Sequence, residues 1–171
     1  MIRRVAILCP GPSLSSFDGP GGYDLVIGVN RAAVAFRCDV WAACDWQLID
    51  RERRQVIGTP LLFTNVASAM WLRKRNPWPA TVDEFEWYLG GDGLALPGTS
   101  FSALAAVWYA VAKGAHIVNV FGAGLSGKLD FDGTAAGETR TDARWERERC
   151  LWEELTDLLS RRGVVVERVI K

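Results

Sequence analysis

The sequence contains one histidine, His116, and no pair of cysteines in a C-x-x-C arrangement. Structural zinc sites need clusters of these two residue types, and His116 opens a predicted strand without a ligand-like neighbour, so we expect no zinc site. A histidine general base would have to be His116 alone, and we predict a structural role for it instead. The cysteine spacing predicts four reduced thiols in a cytoplasmic protein: Cys9, Cys38, Cys44 and Cys150.

The chain also lacks an excess of either charge and any long hydrophobic run. Twenty basic and twenty acidic residues cancel, so the composition gives no indication of a nucleic-acid partner. No apolar run reaches the length of a membrane span, and Arg3 and Arg4 precede too few apolar residues for a signal peptide. The 171 residues, 49% of them hydrophobic, are enough for one domain with a sizeable core.

Three common sequence motifs are missing as well. The P-loop pattern G-x-x-x-x-G-K-[ST] and the nucleophile elbow G-x-S-x-G do not occur, which disfavours P-loop enzymes and α/β-hydrolases. No G-x-G-x-x-G follows the first predicted strand; the stretch Gly122-Ala123-Gly124 lies after the fifth.

Short apolar runs alternate with segments of helical composition along the chain. This alternation is typical of α/β proteins, in which helices connect parallel strands. The predicted fold is a single Rossmann-like α/β domain over residues 1–171, with a mainly parallel sheet and helices on both faces. Residues 68–97, rich in aromatic residues, proline and glycine, are interpreted as an irregular insertion, either a lid over a site or the covering of a small core.

Three successive predicted strands end in polar turns. The first runs into Gly11-Pro12-Ser13, the second ends at Asn30 and the third at Asp45. Because parallel strands end at one edge of the sheet, these residues predict a ligand site on a common rim. The alternative is that Asn30 and Asp45 only cap the elements that follow them.

A second turn rich in hydroxyl groups precedes the helical stretch 103–113. Its residues Thr99, Ser100 and Ser102 stand at a helix start, where free N–H groups and the helix dipole favour an anion. Ordinary Ser/Thr capping is the alternative. The fifth predicted strand follows this helix and runs into Gly122 and Gly124.

The order of these motifs resembles one known superfamily. It joins flagellin-modifying motility-accessory glycosyltransferases, bacterial sialyltransferases of the Gly-Pro-Ser-Leu type and archaeal 6-hydroxymethylpterin diphosphokinases. The resemblance covers most of the chain except residues 68–96. The motifs that carry it are Gly11-Pro12-Ser13-Leu14, Asn30, Asp45, Gly98-Thr99-Ser100-Phe101-Ser102 and Gly122-Ala123-Gly124-Leu125.

The resemblance implies a nucleotide at the rim and a role for each matching residue. Gly11, Pro12 and Ser13 would line the phosphate or ribose, and Asn30 would contact the nucleotide. Asp45 would face the phosphates directly or through a metal ion, for which Mg²⁺ is the candidate. Hydrogen-bond donors would come from Thr99, Ser100 and Ser102, and close approach of base or sugar would be allowed by Gly122 and Gly124.

The sequence also departs from the sialyltransferases. They carry Asn before the Gly-Pro-Ser-Leu glycine and a histidine after the fifth strand, whereas this chain has Pro10 and no histidine beyond His116. A catalytic base would therefore be a carboxylate, with Asp45 and Asp132 as the candidates.

Three functions stay open. The favoured one is a nucleotide-dependent transferase, glycosyltransferase-like, that uses a nucleotide-sugar donor and an acceptor the sequence does not identify. The others are a Mg²⁺-dependent diphosphokinase of the hydroxymethylpterin type and a non-catalytic nucleotide-binding or assembly protein. Eight tryptophans are consistent with either a core rich in indoles or an apolar surface shared in a homo-oligomer.

Overall fold

The computed structural model describes residues 2–75, 82–85, 101–135 and 141–169. The strands in these ranges are β1 (Arg4–Leu8), β2 (Leu25–Val29), β3 (Val40–Ala42), β4 (Leu61–Asn65), β5 (Val82–Phe85), β6 (Ile117–Phe121) and β7 (Val165–Val169). The α-helices are α1 (Ala32–Ala35), α2 (Trp46–Glu52), α3 (Val66–Arg75), α4 (Ser102–Ala112) and α5 (Asp142–Ser160), and a 3-10 helix spans Pro12–Ser16.

The seven strands form one sheet in the order β5-β4-β3-β2-β1-β6-β7. Each pairing between neighbouring strands is parallel; on β1, for example, Val5 pairs with Leu25 of β2 and with Val118 of β6. The predicted α/β class with a mainly parallel sheet is confirmed.

Both faces of the sheet are covered, which explains the near-continuous apolar runs of the central strands. On β1, Val5 and Ile7 pack on the side that holds α4 and α5, and Ala6 and Leu8 pack on the side of α1 and α2. All four residues are fully buried. Helices on both faces were predicted, and the two core clusters confirm this.

Helices α4 and α5 build the larger of the two cores. Leu104 and Val107 of α4 are fully buried against the sheet, and α5 adds Leu155 and Leu159 from one face of the helix. Among the described helices, none combines the length and the hydrophobicity that crossing a membrane requires. None of the four cysteines forms a disulfide; three of them are buried and Cys150 is exposed.

Part of the stretch interpreted as irregular, residues 68–97, is regular. Helix α3 continues to Arg75, and β5 adds an edge strand in which Asp83 pairs with Phe63 of β4. The four residues of β5 include two acidic ones and show no alternation of apolar and polar residues. The sequence pattern therefore did not predict this edge strand. Residues 76–81 and 86–97 lie outside the described residues, and a lid there stays a prediction.

A buried leucine on α4 tests the packing of this helix on the sheet. We expect Leu104→Ala to lower the free energy of unfolding by about 2–5 kcal/mol, because the cavity left behind closes only in part. Leu129→Ala, at a side chain that is half exposed, should cost less than about 1 kcal/mol. Denaturant unfolding monitored by circular dichroism measures both, and equal losses would contradict the placement of α4.

Candidate functional site

The carboxyl ends of β1 and β6 meet where the strand order reverses. The chain builds β1 to β5 in one direction and then crosses to β6 on the other side of β1. Open parallel sheets bind ligands outside the strand ends at such a point. A cleft opens there, and its walls come from five segments: residues 9–12, 29–30, 101–103, 122–126, and 144, 145 and 148 of α5.

Two glycines let the turns after β1 and β6 touch. The N–H of Gly11 donates to the carbonyl oxygen of Gly122 at 3.0 Å. A Cβ on Gly122, whose φ is 73°, would lie 1.9 Å from the carbonyl oxygen of Cys9, and a Cβ on Gly11 would lie 2.3 Å from the Gly122 oxygen. The space beside both glycines is thus filled by protein backbone. At Gly124 the nearest atom to an added Cβ is Ser126 Oγ at 3.9 Å, which leaves room for a ligand.

Two residues predicted to bind nucleotide carry buried polar atoms without a hydrogen-bond partner in the described structure, Ser13 Oγ and Asn30 Oδ1. Asn30 lines the cleft and has a φ of 51°, a left-handed conformation that asparagine tolerates. Its carbonyl oxygen accepts a hydrogen bond from Trp41 Nε1 at 2.8 Å, which fixes the backbone. Pro12 lines the cleft, whereas Ser13 stands one residue further into the 3-10 helix.

The start of α4 forms another wall of the cleft. Phe101 is its N-cap and makes no side-chain capping bond. N–H groups at the start of a helix are suited to binding an anion. Ser102 is buried, and its Oγ accepts a hydrogen bond from the Cys44 N–H at 3.1 Å, which ties α4 to the end of β3. The predicted donors Thr99 and Ser100 lie outside the described residues.

The first turns of α5 add two charged residues that the sequence analysis did not single out. The guanidinium carbon of Arg144 lies 5.2 Å from the ring centroid of Phe101, and its Nε is buried without a hydrogen-bond partner among the described residues. Glu148, one helical turn later, is 6% exposed. Arg144 and Glu148 are the charged members of the described cleft lining. In the sequence, the i, i+4 spacing of Arg144 and Glu148 could have indicated that the two side chains lie on one face of a helix. The same spacing is also typical of a solvent-exposed helix face.

The turn after β6 is held against α5 by side chains of that helix. Residues 122–127 match the pattern G-x-G-x-x-G, but the described residues 122–135 form no helix, so the context of a dinucleotide fingerprint is missing. Leu125 has a φ of 51°, which is strained for leucine. Its carbonyl oxygen accepts from Arg149 Nη1 at 3.0 Å, and the Gly127 oxygen accepts from Trp145 Nε1 at 3.0 Å.

Asp45 follows β3 at the same rim and caps α2. Its Oδ1 accepts a hydrogen bond from the N–H of Gln47 at 2.8 Å and a longer one from Leu48 at 3.5 Å. The side chain is exposed and is not part of the cleft lining. The capping alternative therefore describes the contacts of Asp45, and its catalytic or metal-binding role stays a prediction.

Asp132, the other predicted base, lies in a cluster around Arg31. Three carboxylates surround this guanidinium, at 2.8 Å for Asp132, 3.1 Å for Asp130 and 3.9 Å for Glu52. Hydrogen bonds from the Thr134 hydroxyl and from Arg31 hold the pKa of Asp132 well below its ordinary value. A carboxylate so stabilised is a weak proton acceptor.

A second cleft lies beside α2 and shares Pro10 and Asn30 with the first. Its polar groups bond to one another: Arg51 Nε donates to Glu52 Oε1 at 2.7 Å, and Gln55 Nε2 donates to Glu52 Oε2 at 3.4 Å. This network occupies Glu52, whereas Asn30 Oδ1, which belongs to the lining of both clefts, has no partner in the described structure.

The donor set for a metal is sparse in the part of the chain that the structure describes. No group of three or more His, Cys, Asp or Glu side chains is placed to hold a metal ion there. Mg²⁺ in phosphate-transfer sites often uses one or two carboxylates together with substrate phosphates. Asp45 would fit only such a shared site.

Comparisons with known proteins include a distant structural neighbour. No family model and no curated protein matches the chain. The crystal structure of thiamine pyrophosphokinase from Bacillus subtilis superposes with a TM-score of 0.43 at 16% sequence identity, over 98% of this chain. This chain spans 60% of the length of that protein.

Alanine substitutions at Gly122 and Gly124 distinguish a glycine that is required for close packing from a glycine that lies in an open wall of the cleft. We expect Gly122→Ala to destabilise the fold by more than about 2 kcal/mol, because the new Cβ meets backbone and the positive φ is unfavourable for alanine. Gly124→Ala should change the free energy of unfolding by less than about 1 kcal/mol. Thermal and denaturant unfolding of both variants provide the measurement; a stable Gly122→Ala protein would refute the close contact of the two turns.

The cluster around Arg31 predicts a specific loss of stability in acid. The folded protein lowers the pKa of Asp132 from 3.8, so its contribution is present above that value and is lost as the pH falls through the lowered pKa. Asp132→Asn should therefore show a smaller fall in unfolding free energy than the wild type between about pH 4 and about pH 2. Asp157→Asn, which removes an exposed ion pair with Arg161, should keep the wild-type slope. Identical slopes for Asp132→Asn and wild type would contradict the assignment.

Proposed function

We propose that this chain is a nucleotide-dependent transferase, most closely a glycosyltransferase-like enzyme that uses a nucleotide-sugar donor. The observation that supports the proposal is the cleft at the strand-order reversal, where the start of α4 and the Arg144 side chain line one space. A helix start and a guanidinium are both suited to the phosphates of a nucleotide.

In this proposal the nucleotide phosphate is the leaving group. When the bond to the transferred group breaks, negative charge grows on the phosphate oxygen. The N–H groups at the start of α4 and the cation of Arg144 would stabilise that charge without having to reorganise. The stacking of Arg144 on Phe101 orients the guanidinium before the substrate binds.

The rest of the nucleotide would lie along the turns after β2 and β6. Gly124 offers a wall without a side chain, which suits close approach of a base or a sugar ring. Asn30 Oδ1 has no partner in the described structure, and an amide oxygen would accept a hydrogen bond from a ribose hydroxyl or a base N–H.

A Mg²⁺-dependent diphosphokinase is the second candidate, because Asp45 places an exposed carboxylate at the same rim. Pyrophosphoryl transfer depends on positioning and charge neutralisation by a metal. The third candidate is a nucleotide-binding or assembly protein that binds a nucleotide but catalyses no reaction. The metal requirement distinguishes the first two, and product formation distinguishes both from the third.

A thermal-shift screen tests the proposal directly. CMP, CDP, UDP, GDP, ADP and ATP are added with Mg²⁺ or with EDTA. A ligand at about a hundred times its Kd should add roughly 2.7 kcal/mol of stability. A response to CMP, CDP or UDP in EDTA supports a sugar-nucleotide enzyme, a response to ATP only with Mg²⁺ supports the diphosphokinase, and no response to any of them contradicts the nucleotide site.

Removal of the Arg144 guanidinium should weaken the binding of any nucleotide that stabilises the protein in the thermal-shift screen. Arg144→Ala is expected to raise its Kd by roughly 10-fold to 100-fold, the equivalent of one charge-assisted hydrogen bond. Arg161→Ala at the other end of the same helix, where the side chain forms an exposed ion pair with Asp157, is the matched control and should leave Kd within about threefold. Isothermal titration calorimetry measures both variants. Equal Kd values for Arg144→Ala and wild type would exclude Arg144 from the phosphate site.

A further inference from the structure

The second cleft, beside α2, adjoins the proposed nucleotide cleft. It has a volume of about 460 Å³, which lies within the usual range of small-molecule sites. Pro10 and Asn30 line both clefts, so the turns after β1 and β2 form a wall that the two spaces have in common. A molecule bound in the second cleft would therefore be the neighbour of a nucleotide bound in the first.

We propose that the second cleft is the acceptor site of the transferase and that it binds an uncharged saccharide. This inference rests on the proposed function, because an acceptor is needed only if the nucleotide donates a group. A transfer reaction requires that donor and acceptor are held side by side, with their reacting atoms roughly 3–3.5 Å apart. Two adjoining clefts with a common wall provide that arrangement.

The charged side chains that line the second cleft favour an uncharged ligand. Two guanidinium groups, those of Arg31 and Arg51, lie there with two carboxylates, those of Glu52 and Asp130. The carboxylates would repel an anion, and the guanidinium groups would repel a cation. A hydroxyl group can donate to a carboxylate and accept from a guanidinium, so a ligand with many hydroxyl groups matches this lining. Leu48 adds an apolar contact for the carbon atoms of a sugar ring.

Part of the hydrogen-bonding capacity of this lining is left for a ligand. Asn30 Oδ1 is buried and has no hydrogen-bond partner in the described structure, which is unfavourable unless a ligand supplies one. An amide oxygen has two lone pairs, so it can accept one hydrogen bond from the nucleotide and another from a saccharide hydroxyl. Arg51 donates from Nε to Glu52, but its side chain is 65% exposed, and a guanidinium carries further N–H donors.

Residues 130–135 form a wall of the second cleft that the protein itself holds in place. The Asp130 carboxylate lies 3.1 Å from Arg31 Nη1, and the Phe131 N–H donates to the Pro10 carbonyl oxygen at 2.7 Å. A site that is formed before the ligand arrives loses less conformational entropy on binding. The wall is therefore suited to a ligand such as a monosaccharide, which offers little binding energy.

Saccharide binding to the nucleotide-loaded protein tests the inference. The probes are the methyl glycosides of glucose, galactose, mannose and N-acetylglucosamine, with the nucleotide that stabilises the protein in the thermal-shift screen. Saturation-transfer difference NMR titrations give their Kd values, and we expect at least one of them to bind. Glucuronate and glucosamine, which carry a charge on a similar ring, should bind about tenfold more weakly than the best uncharged glycoside, or not at all.

A bulky side chain in the second cleft should block the saccharide and spare the nucleotide. Ala135→Trp places an indole in the lining of this cleft and should raise the saccharide Kd about tenfold or more. The nucleotide Kd should stay within about threefold of the wild-type value, because Ala135 is not part of the described lining of the nucleotide cleft. Gln55→Trp repeats the test at another position of the same lining. Arg54→Trp, at an exposed neighbouring position outside both described linings, is the matched control and should behave as the wild type.

The possible failures of the inference and of the proposed function are distinguishable. A wild type that binds nucleotide but none of the methyl glycosides overturns the acceptor site and leaves the nucleotide site intact. Folded Ala135→Trp and Gln55→Trp proteins that both keep the wild-type saccharide Kd would place the saccharide elsewhere. A charged probe that binds as tightly as the best uncharged glycoside would overturn the substrate class. A wild type that binds no nucleotide overturns the proposed function, and the acceptor role with it.

Discussion

The contact between the turns after β1 and β6 is the constraint on which the site depends. It is made by backbone atoms alone, with the Gly11 N–H donating to the Gly122 oxygen and the Cys9 N–H donating to the Phe121 oxygen. Any side chain at Gly11 or Gly122 would occupy the space of a carbonyl group. Since both turns form walls of one cleft, the geometry of that cleft is set by how closely two main chains can approach.

Around this contact the structure divides its charged residues between two tasks. Arg31 and its three carboxylates bond to one another beside α1 and α2 and hold the loop at 130–134 in place. On the other side of the sheet, Arg144 and Glu148 line the open cleft. The first group ties the loop at 130–134 to α1 and α2, and the second lies in the wall of the proposed nucleotide cleft.

The sequence was informative where burial imposes a simple pattern. The run that forms β2 is apolar on both faces, and β1 is apolar after Arg4; the turns that follow them bring Gly11 and Asn30 into the wall of one cleft, whereas Asp45 after β3 lies outside it. It was uninformative where a residue's role depends on its tertiary neighbours. Asp45 and Asp132 resemble catalytic carboxylates in sequence, yet one caps a helix and the other pairs with a distant arginine. Arg144 and Glu148 lie in a helix with many charged residues, so only the folded structure shows which face of the helix is buried and which is exposed to solvent.

The position of β1 inside the sheet, between β2 and β6, has a consequence for how the protein folds. One of its two neighbours is β6, and Arg4 pairs with Ile117, which lies 113 residues further along the chain. Such distant pairing has a high contact order and is slow to form. A chain emerging from the ribosome can assemble β1 to β5 while one edge of β1 stays uncovered. The cleft is complete only when β6 and α5, which follow β1 to β5 along the chain, have added the turn at 122–126 and the wall at 144–148.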